Sequence, residues 1–271
     1  MDIKEYTEAN REAWNEVIPI HQKSSSRNLK HEFTKKGFTV LDEIETTLLK
    51  DIGLEGKKVA HLCCNNGREL LSVINIGAES GVGFDISDEA IKEANELKEI
   101  SGLNCEFIRT DVYDIDEKYT NSFDLVYISI GVFNWLPDLK RFFSVVSRLL
   151  KDDGMIFIYE MHPVTNMLPY EREDISDISN VLKIKYSYFS TEPWVSNNGI
   201  DYVGKSTYQA KTKYEFAHTI SEVLNSLISN GINIKLFNEY SHDISACFEH
   251  VEIEGKVPLC FILIGKKEKS I

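Results

Sequence analysis

The chain has 271 residues, 42% of them hydrophobic and 27% charged, and a formal net charge of −13. That balance belongs to a folded globular protein, and no apolar run approaches the roughly 18 to 20 residues a membrane span requires. Lys and Arg are scattered apart from Lys266, Lys267 and Lys269 in the C-terminal tail. A nucleic-acid partner is therefore not expected, because a phosphate-binding face needs clustered cations.

The first residues, Met1-Asp2-Ile3-Lys4-Glu5, are charged and lack the apolar centre of a signal peptide. The expectation is a cytoplasmic protein, monomeric or homodimeric. Five cysteines without a CxxC pair point to reduced thiols rather than a disulfide framework. On a strand, His61 and Cys63 face one side and Cys64 the other, so this trio is not expected to converge on a metal.

Residues 1–55 read as helical. Ala13, Trp14, Val17 and Ile18 recur at helical spacing over residues 7–18. After the polar break Ser24-Ser25-Ser26, Phe38, Leu41, Ile44, Leu48 and Leu49 predict a second amphipathic helix before Gly53 and Gly56. From Lys57 onward, strands alternate with helices. Strands are predicted over 59–64, 81–86, 105–110, 123–130 and 154–160, with helices over 68–76, 87–100 and 139–150. Ser87 and Asp88 are candidate N-caps. This alternation implies an α/β fold with a parallel sheet covered on both faces.

After Pro163 the rhythm stops. Residues 163–215 are rich in Tyr, Ser, Asn and Asp, and form too long a stretch for a simple loop; an inserted cap or antiparallel excursion is expected. Ile220, Val223, Leu224, Leu227 and Ile228 restore helical periodicity. Strands over 232–240 and 258–265 complete the sheet.

Open parallel sheets bind ligands beyond the carboxyl ends of their strands. The first strand runs through Cys63-Cys64-Asn65-Asn66-Gly67 into a helix N-terminus, where Gly67 allows a ligand close to the backbone. Asp85 closes the second strand, where a carboxylate can accept both hydroxyls of a ribose. Asp111 closes the third, where an acid can accept from an adenine amino group. Each residue alone also reads as a turn former or helix cap; three successive strand ends in this order point to a nucleoside.

Residues 57–162 resemble the class I S-adenosylmethionine-dependent methyltransferases that act on small molecules. The resemblance rests on Val59-Ala60-His61-Leu62-Cys63-Cys64-Asn65-Asn66-Gly67, Gly83-Phe84-Asp85-Ile86-Ser87 and Thr110-Asp111-Val112. Further along it rests on Phe123-Asp124-Leu125-Val126-Tyr127-Ile128-Ser129, on the segment from Gly131 to Leu139, and on Leu149-Leu150-Lys151-Asp152-Asp153-Gly154. It implies a Rossmann-like sheet, mostly parallel with an antiparallel C-terminal strand. Residues 1–55 would form a helical lid, 56–162 and 216–271 the cofactor-binding core, and 163–215 an inserted substrate cap. The implied cofactor is S-adenosylmethionine, held by Trp14, Cys64, Asn65, Asn66, Gly67, Asp85, Ile86, Asp111, Val112 and Ser129. Tyr6 joins Trp14 as a candidate to close over it. The implied partner is a small-molecule methyl acceptor, shaped by Phe133, Trp135, Trp194, Tyr202 and Tyr208. Glu160, His162 and His218 are the candidate bases.

The first motif departs from the family. The usual acid is His61, and two usual glycines are Cys63 and Asn65. Asn tolerates left-handed backbone angles, whereas loss of the acid removes a common contact to the amino-acid end of the cofactor, for which Asn66 and Glu69 are the candidate substitutes. Two other readings compete: a nucleoside-binding protein without turnover, and a nicotinamide oxidoreductase, whose G-x-G-x-x-G run is broken by Cys63 and Asn65.

Overall fold

The computed structural model describes residues 2–24, 28–169 and 181–269. Seven strands form one sheet in the order β3-β2-β1-β4-β5-β9-β8. They are β1 (Lys58–Leu62), β2 (Ser80–Asp85), β3 (Cys105–Arg109), β4 (Phe123–Ser129), β5 (Leu150–Met161), β8 (Ile232–Tyr240) and β9 (Cys260–Lys267). The first five are parallel, and β9 runs antiparallel to both β5 and β8. Strand order reverses where β1 lies between β2 and β4, which opens a crevice beyond the strand tips.

Side-chain alternation splits the core in two. Ala60, Leu62, Val126 and Ile128 pack with α6 (Leu139–Leu149) and α7 (Ile220–Ser229) on one face. Val59, Leu125 and Tyr127 pack with α3 (Glu43–Ile52), α4 (Arg68–Asn75) and α5 (Asp88–Ser101) on the other. Both faces of the central strands are buried, hence their nearly continuous apolar sequences.

The N-terminal region differs in detail from the sequence reading. Helix α1 spans Ile3–Ser24 and carries Pro19 within it, so it outruns the predicted 7–18. A single helical turn, α2, covers Leu29–Glu32. The helix predicted around Phe38 starts only at Glu43, because the Asp42 side chain accepts from the Glu45 N–H at 2.7 Å and caps it there. Phe38 and Leu41 therefore precede the helix. Of the polar break, Ser25 and Ser26 lie outside the described residues.

Within the insertion, β6 (Trp194–Asn198) and β7 (Gln209–Glu215) form a separate antiparallel pair. Asn10 of α1 braces β7 as a neighbouring strand would: its amide donates to the Tyr214 carbonyl and its carbonyl accepts from the Tyr214 N–H, both at 2.8 Å. Among the described residues, no helix is long and apolar enough to cross a membrane.

Candidate active site

One cavity of about 830 Å³ opens over the tips of β1, β2, β3 and β4. Its floor is the turn from β1 into α4, in which Cys63, Asn65 and Gly67 have φ of 54°, 48° and 73°. Alternate left-handed residues turn the backbone sharply, and two of the three carry side chains at a conformational cost. Gly67 admits none, since an added Cβ would lie 2.3 Å from the Phe107 ring.

Asp85 ties this turn to the next strand. Its carboxylate accepts from the Asn65 and Ser87 N–H groups, each at 2.8 Å. Burial raises its pKa, and the backbone donors oppose that shift. Ser87 caps α5 by accepting from the Ala90 N–H at 3.2 Å. At the tip of β3, Asp111 accepts from the Tyr113 N–H at 3.0 Å and from the Thr7 hydroxyl of α1 at 2.7 Å. Each carboxylate oxygen has two lone pairs, so both aspartates keep acceptor capacity toward the cavity they line.

Of the cofactor candidates, Trp14, Cys64, Asn65, Asn66, Asp85, Ile86, Asp111, Val112 and Ser129 all line the cavity. Gly67 lies just behind it at the start of α4. Trp135, Trp194, Tyr202 and Tyr208 also line it. Trp14 and Trp135 meet edge-to-face with centroids 5.3 Å apart. Phe133 does not reach the cavity; it is 5% exposed and packs against Phe142 and Phe143. Tyr6 packs on Tyr214 and Phe216 instead of on the cavity.

None of the three base candidates opens on the cavity. Glu160 is 2% exposed and turns beneath the loop after β4, accepting from the N–H groups of Gly131, Val132, Phe133 and Met161. It shapes that loop. His162 accepts from the Val164 N–H at 3.1 Å and pairs with Glu239 at 2.9 Å. His218 bonds the Leu136 carbonyl at 2.7 Å through Nε2 and approaches Glu222 at 3.1 Å through Nδ1. Both histidines line a smaller crevice behind Asn134, Met161 and Asn166, residues it shares with the main cavity.

The structure brings in other polar groups from distant parts of the chain. His21 of α1 lines the cavity, its Nε2 3.3 Å from the Ile200 carbonyl. Lys213 of β7 is 9% exposed, pairs with Glu215 at 2.7 Å and lies 5.6 Å over the Trp135 ring. Arg68 and Glu69 open α4 and pair at 2.6 Å. For Glu69, burial acts upward, but Arg68 and His61 outweigh it and hold the carboxyl below its ordinary value. Glu69 is the residue already named in sequence as a candidate substitute for the missing acid; of His21, Arg68 and Lys213 only the polar character is visible there, and helix and strand faces decide which reach the cavity.

The sheet order and the strand-tip cradle define a Rossmann-like α/β protein of the class I methyltransferase type. A family model described as a methyltransferase domain matches residues 54–224, and the chain belongs to that family. An uncharacterised protein from Haemophilus influenzae is 20% identical over 263 residues, covering 94% of this chain and all of that one. A tRNA U34 carboxymethyltransferase from Campylobacter hominis is 31% identical over 111 residues, covering 40% of this chain and 37% of its own. The crystal structure of 1,6-didemethyltoxoflavin-N1-methyltransferase from Burkholderia thailandensis, with bound 1,6-didemethyltoxoflavin and S-adenosylhomocysteine, superposes with a TM-score of 0.59. It is 11% identical, and the match covers 99% of this chain and 92% of that one.

Proposed function

We propose that the protein transfers a methyl group from S-adenosylmethionine to a small-molecule acceptor. The observation that carries this reading is a single cavity lined by the β1 turn, Asp85 and Asp111, with an aromatic wall from the insertion. Its volume of about 830 Å³ lies toward the upper end of ligand pockets, roughly 300 to 1,000 Å³, and leaves room for an acceptor beside a cofactor. The donor set fits a nucleoside cofactor: acids at the tips of β2 and β3 suit a ribose and an adenine amino group. The net charge of −13 favours a small acceptor over RNA. The Burkholderia enzyme, whose fold matches over 92% of its length, has 1,6-didemethyltoxoflavin and S-adenosylhomocysteine bound.

When bound, the cofactor supplies a methyl activated by its sulfonium. The chain's own residues bind, orient and enclose. Asp85 and Asp111 fix the nucleoside, the β1 turn meets it through backbone, and Trp135, Trp194, Tyr202 and Tyr208 offer flat surfaces to the acceptor. Alignment of this kind accounts for up to about 7–11 kcal/mol of barrier lowering. Residues 1–55 act as a lid, 56–162 and 216–271 as the cofactor-binding core, and 163–215 as the acceptor cap.

Calorimetry tests the reading. S-adenosylhomocysteine should bind and NADH should not, and Asp85→Ala should weaken the former roughly 100-fold through lost hydroxyl contacts. Labelled S-adenosylmethionine with fractionated metabolites should then yield a labelled small product. Absence of affinity for both S-adenosylmethionine and S-adenosylhomocysteine would end this assignment. Binding without transfer to any fraction would favour a non-catalytic binder.

A further inference from the structure

Lys213 and Glu215 lie two residues apart on β7, so they share a face of the strand, and both line the cavity. Tyr214 between them packs its ring on Tyr6. Its N–H and C=O are both held by the Asn10 side chain at 2.8 Å, which fixes the backbone that carries the two charged groups.

The Lys213 side chain is 11% exposed and that of Glu215 22%, with Nζ 2.7 Å from Oε2. Among the described residues, each makes its one side-chain hydrogen bond to the other. An ammonium has three donors and a carboxylate about four acceptor sites, so both keep capacity for a ligand. The Trp135 ring lies 5.6 Å from Nζ, and Trp14 meets Trp135 edge-to-face. A buried ion pair is weak evidence for stability, because desolvation offsets its attraction; apolar residues would hold β7 as well. On a cavity wall the pair offers what apolar residues cannot: a donor and an acceptor side by side in an aromatic slot.

The complement of that slot is a flat molecule with an acceptor beside a donor. In a lactam ring the oxygen and the N–H nitrogen stand about 2.3 Å apart by ordinary bond lengths, near the 2.7 Å between Nζ and Oε2. Charge narrows the choice. The pair is neutral in sum, so a lone anion meets Glu215 and a lone cation meets Lys213. A zwitterion must be stripped of water at two full charges, a lactam only at two dipoles. We infer that the methyl acceptor is a planar heterocycle with a lactam edge, its carbonyl accepting from Lys213 Nζ and its N–H donating to Glu215, with the ring against Trp135. This rests on the proposed methyl transfer to a small molecule and names the class of that acceptor. Lys213 and Glu215 select the acceptor, while Asp85 and Asp111 hold the cofactor.

Four ring-bearing probes, titrated by calorimetry into protein saturated with S-adenosylhomocysteine, test the match. The probe 2-quinolone carries a lactam edge, and 1-methyl-2-quinolone lacks its N–H. The third, 2-naphthoate, is an anion, and L-tryptophan is a zwitterion. On the unmodified protein 2-quinolone should bind about 10- to 100-fold more tightly than each of the others. In Lys213→Met its advantage over 1-methyl-2-quinolone should shrink to within about threefold, while S-adenosylhomocysteine affinity stays within about twofold. If Lys213→Met does not fold, the ranking on the unmodified protein decides alone. Tighter binding of 2-naphthoate or L-tryptophan, equal binding of the two quinolones, or binding of none of the four overturns the inference. A parallel loss of S-adenosylhomocysteine affinity in Lys213→Met marks the pair as structural and overturns it too. Failure of S-adenosylhomocysteine to bind the unmodified protein sinks the methyl-transfer reading beneath it, a distinct result.

Discussion

Glu45 and His61 both meet the buried Tyr127, one at its hydroxyl and one at its ring, and they titrate in opposite senses. Burial lifts Glu45 to about 8 from an ordinary 4.5 and lowers His61 to about 4 from 6.5. Above pH 4.5 the unfolded chain releases the Glu45 proton that the folded chain retains, so stability is lost as pH rises toward 8. Below pH 6.5 the unfolded chain binds a His61 proton that the fold refuses, so stability is lost as pH falls toward 4. Between about 4.5 and 6.5 the two slopes cancel; from 6.5 to 8 only the Glu45 loss remains, about 2 kcal/mol at 1.36 kcal/mol per pH unit. Glu45→Gln keeps an oxygen for Tyr127 and removes that loss. Urea unfolding at pH 6.5 and 8 should show the variant gaining about 2 kcal/mol on the unmodified protein between them; an unchanged difference would contradict the titration. Such a role is not legible in sequence, where Glu45 is one acid on an amphipathic helix and His61 a missing aspartate. Asp85, Asp111 and Asn65 were legible because strand tips face the crevice whatever their side chains do. Position nominates Glu160, His162 and His218 too, but their side chains turn to backbone amides, carbonyls or neighbouring acids, a choice of rotamer that no spacing reveals.

At the scale of elements, α1 does more than its amphipathic stripe announces. The stripe explains Ala13 and Val17 packing on Ile200. It does not show that the polar residues reach three other parts of the chain: Thr7 to Asp111, Asn10 to Tyr214 of β7, and Asn15 to Ser87 at the N-terminus of α5. These partners lie 72 to 204 residues away in sequence. Asn10→Ala strands the Tyr214 N–H and C=O, an edge that costs roughly 1–3 kcal/mol for each group left unpaired and buried. Amide exchange should therefore quicken in α1 and in Gln209–Glu215, while β1, β4 and β5 stay protected. S-adenosylhomocysteine affinity should fall several-fold if α1 covers the cofactor. Unchanged exchange in β7 would show that the clamp carries no energy. The start of α3 teaches the same lesson on a smaller scale: apolar spacing continued back to Phe38, but the Asp42 carboxylate and the Glu45 N–H decide where the helix begins.

Across the whole molecule, the cavity is assembled from regions that sequence order keeps apart: α1, the tips of β1 to β4, the β6–β7 pair, and residues 244–247 after β8. The central sheet was legible because the apolar runs of its strands and the 3.6-residue period of its helices are local. The sequence predicts a lid and a cap but not the contacts that close the cavity, which depend on how an N-terminal helix and an insertion meet over the sheet. A ligand touching all four regions should couple them. At 100 times its dissociation constant, S-adenosylhomocysteine should stabilise the fold by about 2.7 kcal/mol, raising Tm by roughly 5–10 °C for a chain of this size. Protection against amide exchange should then rise in α1 and β7 as well as in the β1 turn. A Tm increase with protection confined to the strand tips would mean that the cofactor binds an open cleft, and that α1 and the insertion serve the acceptor alone.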